Sequence, residues 1–303
     1  MNIKSLDLSF DLVDKTKLSI RNTNLNGVKI GGAHSVPFVS SDGNVSQPLI
    51  AIEFPFIVDE TVPEILRRQW GSVSPNELLK KADLSEADII SIKFNLTEDN
   101  VEKSIENVKC FLKEIPNITQ KPVILRGANN SVVDKKLLPI LSENVPQEVI
   151  LAFAEEDSYE NIVQSVIKHN HILVLRTPID INIAKELNIL TIDKGLNPER
   201  ILIDPDMGGL GYGLDYGFSI IEKIRQAAFD GDNMLNMPII AFIGEETYRA
   251  KEAKSDTFSA QWGDYSQRAS MWEISGATAM ISAGADIVVL WNLDSVQALK
   301  GVL

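Results

Sequence analysis

The densest run of chemically useful residues is Asp204-Pro205-Asp206-Met207-Gly208-Gly209-Leu210-Gly211-Tyr212-Gly213. Four glycines in six residues free the backbone for positive φ and let a ligand come close to the amides. A helix is expected to start near Leu214, and its N-terminus would favour an anionic group. The spacing Gly-Gly-x-Gly-x-Gly is not the dinucleotide fingerprint. The same glycines would also serve a tight turn that needs them for geometry alone, and both readings stand at this point.

Two further carboxylates, Glu245 and Glu246, follow an apolar run directly, as Asp204 and Asp206 do. Brought together they could act as acid and base or hold a cation; apart, they are ordinary helix caps. The three histidines show no metal-protease or deaminase spacing. His169 and His171 sit at a helix-to-strand junction, and His34 lies near the N-terminus. Cys110 adjoins an apolar helical stripe and reads as a buried structural thiol. Trp262 and Trp291 fall at strand ends, where an indole can wall a flat ligand or join an interface, whereas Trp272 reads as core. No nucleophile–base pair, metal motif or phosphate-loop lysine accompanies these residues, so no catalytic residue is assigned.

The elements that must position them alternate. From Ala87 onward, short apolar runs are each followed by a helix-period segment. The runs are Ile89–Phe94, Val123–Arg126, Val149–Phe153, Ile172–Arg176, Ile201–Asp204, Ile239–Ile243, Thr257–Gln261 and Ile287–Trp291. Val101, Ile105, Val108, Leu112 and Ile115 mark one amphipathic helix, and Phe218, Ile221, Ile224 and Ala228 another. Asp157 with Glu160 resembles a capping box, and Asp264 and Gly284 bracket a long helix. Eight β-then-α units give an α/β fold, a (β/α)8 TIM barrel, over residues 86–303; a doubly wound open sheet is the alternative. Residues 1–85 read as a β-rich N-terminal extension, with stretches at Leu6–Leu12, Lys17–Asn22, Gly27–Ile30 and Pro48–Phe56 and a helical connector over 61–84. Function in such a barrel collects on the loops after the strands.

Composition narrows the class. The 303 residues carry 29 basic and 42 acidic side chains, a net charge of −13. That balance argues against nucleic acid as a partner. One cysteine excludes an intrachain disulfide and an iron–sulfur cluster held by this chain alone. No apolar run approaches the roughly 20 residues of a membrane span. The first residues show no signal-peptide pattern, so a cytoplasmic location is expected.

Several segments together resemble one family. They are Arg176-Thr177-Pro178-Ile179-Asp180-Ile181-Asn182, the glycine run extended through Leu214-Asp215-Tyr216, and Gly231-Asp232-Asn233-Met234-Leu235-Asn236-Met237-Pro238. Tyr248-Arg249-Ala250-Lys251-Glu252-Ala253, Trp262-Gly263 and Ala283-Gly284-Ala285-Asp286 complete the set, and Gly31-Gly32-Ala33-His34-Ser35-Val36-Pro37-Phe38 adds an N-terminal match. The chain is similar to the small subunit of the corrinoid iron–sulfur protein, equivalent to the delta subunit of acetyl-CoA decarbonylase/synthase. The resemblance implies a TIM barrel in a heterodimer with a large subunit that carries a [4Fe–4S] cluster and a cobalamin-binding domain. It implies a methyl carrier rather than a catalyst. The methyl group would come from a methyltetrahydropterin through a separate methyltransferase, with methyltetrahydrofolate methyltransferase the expected partner, and pass to acetyl-CoA synthase or a related acceptor. It also implies that cobalamin sits against the C-terminal face of the barrel. The positions expected to face it are Asp204, Gly208, Gly209, Leu210, Gly211, Tyr212, Gly213, Glu245, Trp262 and Asn292.

Three segments depart from the family pattern: Arg126-Gly127-Ala128-Asn129, Ala152-Phe153-Ala154-Glu155 and Leu290-Trp291-Asn292-Leu293. All fall on the expected cofactor face. Two other functions therefore stay in view: a stand-alone pterin-dependent methyltransferase using Asn95, Asp204 and Asn292, and a scaffold paralogue that has lost its ligand contacts.

Overall fold

The computed structural model describes residues 19–35 and 47–303. The stretch Leu6–Leu12, the turn at Asp42-Gly43 and part of the N-terminal family match lie outside these residues. A hairpin comes first, β1 (Asn22–Leu25) and β2 (Val28–Gly31), paired antiparallel around Asn26-Gly27. Gly27 takes the φ of +82° that such a tight turn requires.

Eight parallel strands follow. They are β3 (Leu49–Pro55), β4 (Ile89–Lys93), β5 (Val123–Arg126), β6 (Ile150–Ala154), β7 (Ile172–Arg176), β8 (Ile201–Asp204), β9 (Ile240–Ala241) and β10 (Ile287–Leu290). Their order is β8-β7-β6-β5-β4-β3-β10-β9. A parallel bridge between Ile203 and Ile239 joins the two ends of that series. The expected (β/α)8 barrel is therefore present.

Its helices are α1 (Glu64–Trp70) and α2 (Pro75–Asp83), then α3 (Val101–Ile118), α4 (Ser131–Asn144), α5 (Tyr159–His169) and α6 (Ile181–Asp193). They continue with α7 (Leu214–Phe229), the short α8 (Ile243–Thr247) and α9 (Lys251–Lys254), α10 (Tyr265–Ala283) and α11 (Leu293–Lys300).

The strand inventory differs from expectation at two places. Thr257–Gln261 is no strand. It is largely exposed and leads into a single 3-10 turn, Ala260–Trp262. Phe258 is its one large apolar residue, too little for a strand covered on both faces. The missing strand is β3, whose Leu-Ile-Ala-Ile-Glu-Phe-Pro run pairs with β4 on one side and β10 on the other. The barrel thus begins at Leu49 rather than near residue 86, and α1 and α2 are the crossover of its first unit, not a connector.

Period-two alternation divides the core. Ile50, Ile52 and Phe54 point toward the helices, in a layer that also holds Val123, Leu125, Leu173 and Leu175. Ala51, Ile89, Ile124, Ile150, Ile172, Val174, Leu202, Ile240, Ile287 and Val289 fill the barrel interior. Leu25 and Ile30 of the hairpin join that interior cluster and close its N-terminal end. The segment Gly231–Pro238 anchors the hairpin, since the Arg21 N–H donates to the Asn236 carbonyl at 3.0 Å and Asn188 holds the Met234 carbonyl at 2.7 Å.

Local signals are honoured at several helix ends. Asp264 accepts from the amides of Ser266 and Gln267 and caps α10, and Gly284 ends that helix at φ +115°. A side chain at Gly284 would press on Arg225, which forms a buried pair with Asp286. The Ala283–Asp286 family segment is therefore explained by packing. Asp157 does not cap α5; Ser158 holds the N-cap position and Asp157 pairs with Lys135 at 2.9 Å. Cys110 is exposed, not buried, because it lies two residues past Val108 and off the stripe of Val108, Phe111, Leu112 and Ile115. His171 is structural as expected: its ring lies 2.9 Å from the Ser142 carbonyl and accepts the Val149 N–H.

Candidate functional site at the C-terminal mouth

The alternation that sends apolar residues into the barrel sends charged ones to its C-terminal end. Two residues beyond Ala51 comes Glu53; beyond Ser91, Lys93; beyond Ile124, Arg126; beyond Val174, Arg176; beyond Leu202, Asp204. Lys93, Arg126, Arg176 and Asp204 are each the last inward position of their strand, and Glu53 lies one inward position before the end of β3. Phe242 and Trp291 take the corresponding positions after β9 and β10.

These side chains form one network. Arg126, fully buried, donates to Glu53 at 2.7 Å and to Glu245. Glu53 also accepts from the Trp291 indole and from Ser91 Oγ, each at 2.7 Å. Glu245 accepts from Lys93 Nζ at 3.1 Å and Asn129 Nδ2 at 3.3 Å. Beside this set, Arg176 Nε donates to Asp204 at 2.7 Å. The aromatic rings complete the packing. Arg176 lies 3.4 Å from the Phe153 centroid, Arg126 lies 4.4 Å from that of Phe242, and Trp291 stacks on Tyr248.

The protonation states follow. Burial would raise the Glu245 carboxyl, but Arg126, Lys93 and Arg176 together hold it far below the usual carboxylate range. Burial, reinforced by the charge of Arg126, lowers the Lys93 ammonium. Burial raises Asp204 in spite of Arg176. At the edge of the mouth, burial with Asp206 and Glu245 nearby pushes Glu246 up to about 7, although Arg249 pairs with it at 2.6 Å.

The glycine run lies on the rim. A side chain at Gly209 would come within 2.9 Å of the Glu246 carbonyl, and one at Gly208 would strike the backbone at Tyr212 and Gly213. Gly211 and Gly213 adopt φ of +76° and +92°. The loop's own close packing therefore requires its glycines. Trp272 donates to the Leu210 carbonyl at 3.1 Å and ties the loop to α10. Tyr212 and Tyr216 are left 79 % and 65 % exposed.

The structure brings some of the expected site residues together and not others. Asp204 and Glu245 belong to the mouth, and Gly208–Gly213 abut it through Gly209 and Glu246. Asn292 is buried, caps α11 and reaches the Tyr248 hydroxyl at 3.4 Å. Trp262 is half exposed on the loop between α9 and α10, edge-on to Phe258. That loop is held by the buried Arg268, which donates to the carbonyls of Glu252, Ser255 and Gly263. Glu53, Lys93, Arg126 and Arg176 were missed. For Arg126 and Arg176 the signal is a charge two residues after an inward apolar position, at the end of an otherwise unbroken run; Lys93 follows the polar Ser91, and Glu53 stands in the middle of its run. Among the described residues, no group of His, Cys, Asp and Glu is arranged to hold a metal ion.

Fold and face together define a TIM barrel whose mouth is filled by mutually neutralised charges and whose rim carries glycine backbone and exposed aromatics. The chain belongs to the CO dehydrogenase/acetyl-CoA synthase delta subunit family, whose family model matches residues 23–301. The resemblance seen in the sequence is borne out. Among its relatives is the delta subunit of the acetyl-CoA decarbonylase/synthase complex of Methanocaldococcus jannaschii, 27 % identical over 91 % of this chain and 68 % of the relative. The corresponding Archaeoglobus fulgidus subunit is 29 % identical over 91 % of this chain and 63 % of its own length. Solved structures of similar fold include dihydropteroate synthase from Xanthomonas albilineans, with a TM-score of 0.57 and 11 % identity over 84 % of this chain and 92 % of that one. The Yersinia pestis dihydropteroate synthase gives 0.57 and 10 % over 93 % and 100 %. At these identities the likeness concerns the fold.

Proposed function

We propose that this chain is the small subunit of a corrinoid iron–sulfur protein and serves as a methyl carrier rather than a catalyst. One observation carries the reading beyond family membership: the ionisable groups at the mouth are committed to one another. Glu53, Arg126, Glu245 and Lys93 are joined in a network, and Arg176 is joined to Asp204. A general base or nucleophile needs a group free to act on a substrate.

The residues present suit a corrinoid that lies across the face, not one inserted into it. Buried and nearly buried side chains fill the mouth, whereas Gly211 and Gly213 would offer backbone, and the exposed Tyr212, Tyr216 and Trp262 aromatic surface, to a flat ligand laid over it. Bound there, the corrinoid's cobalt would supply the site that takes up and hands on a methyl group. The chain's own part would be to cover the macrocycle, exclude water and hold a fixed pattern of charge beneath it. Asp204, Gly208–Gly213, Glu245, Trp262 and Asn292 are the positions assigned to this face, with Asp204, Glu245 and Asn292 acting from below through the residues they brace. The expected large subunit would bring the [4Fe–4S] cluster, for which this chain with one cysteine has too few thiolates. Methyltetrahydrofolate methyltransferase and acetyl-CoA synthase would be the donor-side and acceptor-side partners of a cytoplasmic heterodimer. Among the described residues, no helix is long and apolar enough to cross a membrane.

The pterin-enzyme reading finds its hydrogen-bonding groups already engaged. The Asn95 side chain both accepts from the Ile57 N–H and donates to the Ile57 carbonyl, Asp204 is paired, and Asn292 caps a helix. Calorimetric titration with methyltetrahydrofolate is expected to give no binding heat. Co-expression with the matching large subunit should yield a coloured heterodimer with a corrinoid absorption spectrum. A colourless chain that stays monomeric beside that partner would refute the carrier reading.

A further inference from the structure

The two arginines of the mouth differ in how their donors are used. Arg126 gives one Nη to Glu53 and the other to Glu245. Arg176 meets Asp204 only through Nε, at 2.7 Å. Its Nη1 and Nη2 have no partner among the described residues, and neither is sealed from solvent as the unpartnered Arg126 Nε is. Asp204 on one edge and the Phe153 ring, 3.4 Å from the guanidinium carbon, fix the plane of the group. Arg176 therefore presents a rigid pair of unused donors to the mouth.

An acceptor without a partner stands on the rim beside it. Strands β6 and β7 are in register at Ala154 and Leu175, and both of those side chains face the helices. The next residue along each strand, Glu155 and Arg176, therefore turns toward the mouth, side by side. Glu155 is part-buried, and its carboxyl has no hydrogen-bond or ion-pair partner among the described residues. Burial raises that carboxyl, and the strongest opposing influence is the charge of Arg176. The two do not pair with each other, because Arg176 makes its ion pair with Asp204. Glu155 closes the segment Ala152-Phe153-Ala154-Glu155, one of the three that depart from the family pattern.

Donor and acceptor together decide what fits. Asp204 already balances Arg176, and Asp204 and Asp206 both act on Glu155. A ligand carboxylate would meet this excess of like charge. An ester or ketone would use the guanidinium and leave Glu155 without a donor. A primary carboxamide matches both sides: its oxygen accepts from an Arg176 Nη, and its N–H donates to Glu155. A corrin carries such groups around its edge. We propose that Arg176 and Glu155 hold a peripheral carboxamide of the corrinoid and so select an amidated corrin over one with free carboxylates. The inference rests on the carrier reading and adds two positioning residues to the face. They act at the edge of the macrocycle and not on the reacting metal.

The probes are dicyanocobinamide, in which every peripheral carboxyl is an amide, and dicyanocobyrinic acid, in which every one is free. Each is titrated at neutral pH against the full-length chain by equilibrium dialysis, read by corrin absorption. The amide form should bind about tenfold tighter than the acid form. Arg176→Gln should weaken binding of the amide form by about tenfold. Glu155→Ala should weaken the amide form and tighten the acid form, so that the preference narrows. Loss of structure alone would not produce that opposite response, and the part-exposed, unpaired Glu155 serves if Arg176→Gln does not fold. Equal binding of the two corrins by the wild type, or a preference that Glu155→Ala leaves unchanged, overturns the proposal. So does an affinity for the amide form that Arg176→Gln leaves unchanged, or a chain that takes up neither corrin. The carrier reading is tested separately by the coloured heterodimer, so the two failures are distinguishable.

Discussion

The two ends of the barrel are closed by opposite chemistry. At the N-terminal end, Leu25 and Ile30 of the hairpin extend the interior cluster of Ile89, Ile124, Ile150 and Ile287. At the C-terminal end, Glu53, Arg126, Glu245 and Lys93 fill the opening. An apolar plug is non-directional, and its contribution scales with the surface it removes from water. An ionic plug must first offset the desolvation of every charge, and it does so only while all partners are present. The first closure is a matter of stability. The second fixes a pattern of charge on the face where such barrels keep their function.

The difference can be tested at its sharpest point. Arg126→Ala leaves two buried carboxylates facing each other, and a loss of about 3–5 kcal/mol is expected in urea unfolding. Replacing Glu53, Arg126 and Glu245 together with apolar residues of similar volume should cost far less, because no buried charge is stranded. If Arg126→Ala costs under about 1 kcal/mol, the mouth is wetter than its burial indicates and the contrast fails.

The apolar end should respond more simply. Ile30→Ala is expected to cost about 2–4 kcal/mol through lost burial and a residual cavity. The change should be indifferent to salt, whereas the penalty for breaking the Arg176–Asp204 pair at the other end should depend on which partner is removed. Equal costs for Arg176→Ala and Asp204→Ala would erase the distinction between the two ends.

Much of this architecture is legible in the sequence, and the failures have physical causes. Unbroken runs such as Ile172–Arg176 announce strands buried on both faces, and the count of eight survives because one misplaced strand offsets one unrecognised strand. Leu49–Pro55 reads as an extended stretch, but Glu53 in its middle and the hairpin before it draw it toward the N-terminal extension. Only the pairing with β4 and β10 reveals its place. The ion network is harder to see. Arg126 meets Glu53 across 73 residues and Glu245 across 119, and no local spacing encodes those meetings. The glycine run stands out by composition, yet composition cannot distinguish a ligand-binding loop from one whose glycines are needed to pack on Glu246.

A third test uses pH to compare the network with the carboxyl beneath it. Glu273 is fully buried on α10 and accepts the Trp291 N–H at 2.7 Å and the Asn292 N–H at 3.2 Å. Burial pushes its carboxyl from 4.5 up to about 7. Between those values the folded chain holds a proton that the unfolded chain has released, so stability falls as pH rises through that window. Glu273→Gln should flatten the fall by about 2 kcal/mol between pH 5 and pH 7. Glu246 acts in the same direction and window. Glu245, held below the usual range, acts in the opposite sense: its contribution is present above about 4.5 and is lost as pH falls further. Thermal unfolding across pH 3–8 for wild type and Glu273→Gln resolves the two limbs, and an unchanged slope in the variant would show that Glu273 ionises freely in the fold.

The smallest expected effect concerns the rim, where neither kind of closure operates. The glycine loop is held at Leu210 by the Trp272 indole at 3.1 Å and at Gly209 by close packing on Glu246. Trp272→Phe keeps most of the ring but removes the N–H, leaving the Leu210 carbonyl to water, so a loss of about 1 kcal/mol is expected. Because Leu210 is part-exposed, the cost should appear in local opening more than in global unfolding. Hydrogen exchange should quicken at Tyr212, whose N–H donates to the Gly209 carbonyl at 2.9 Å within the loop, and remain unchanged at Ile203 in the barrel wall. Faster exchange at both positions would mean that the rim and the barrel open as one unit. In that case the loop would be part of the stable scaffold rather than a separately adjustable surface laid over it.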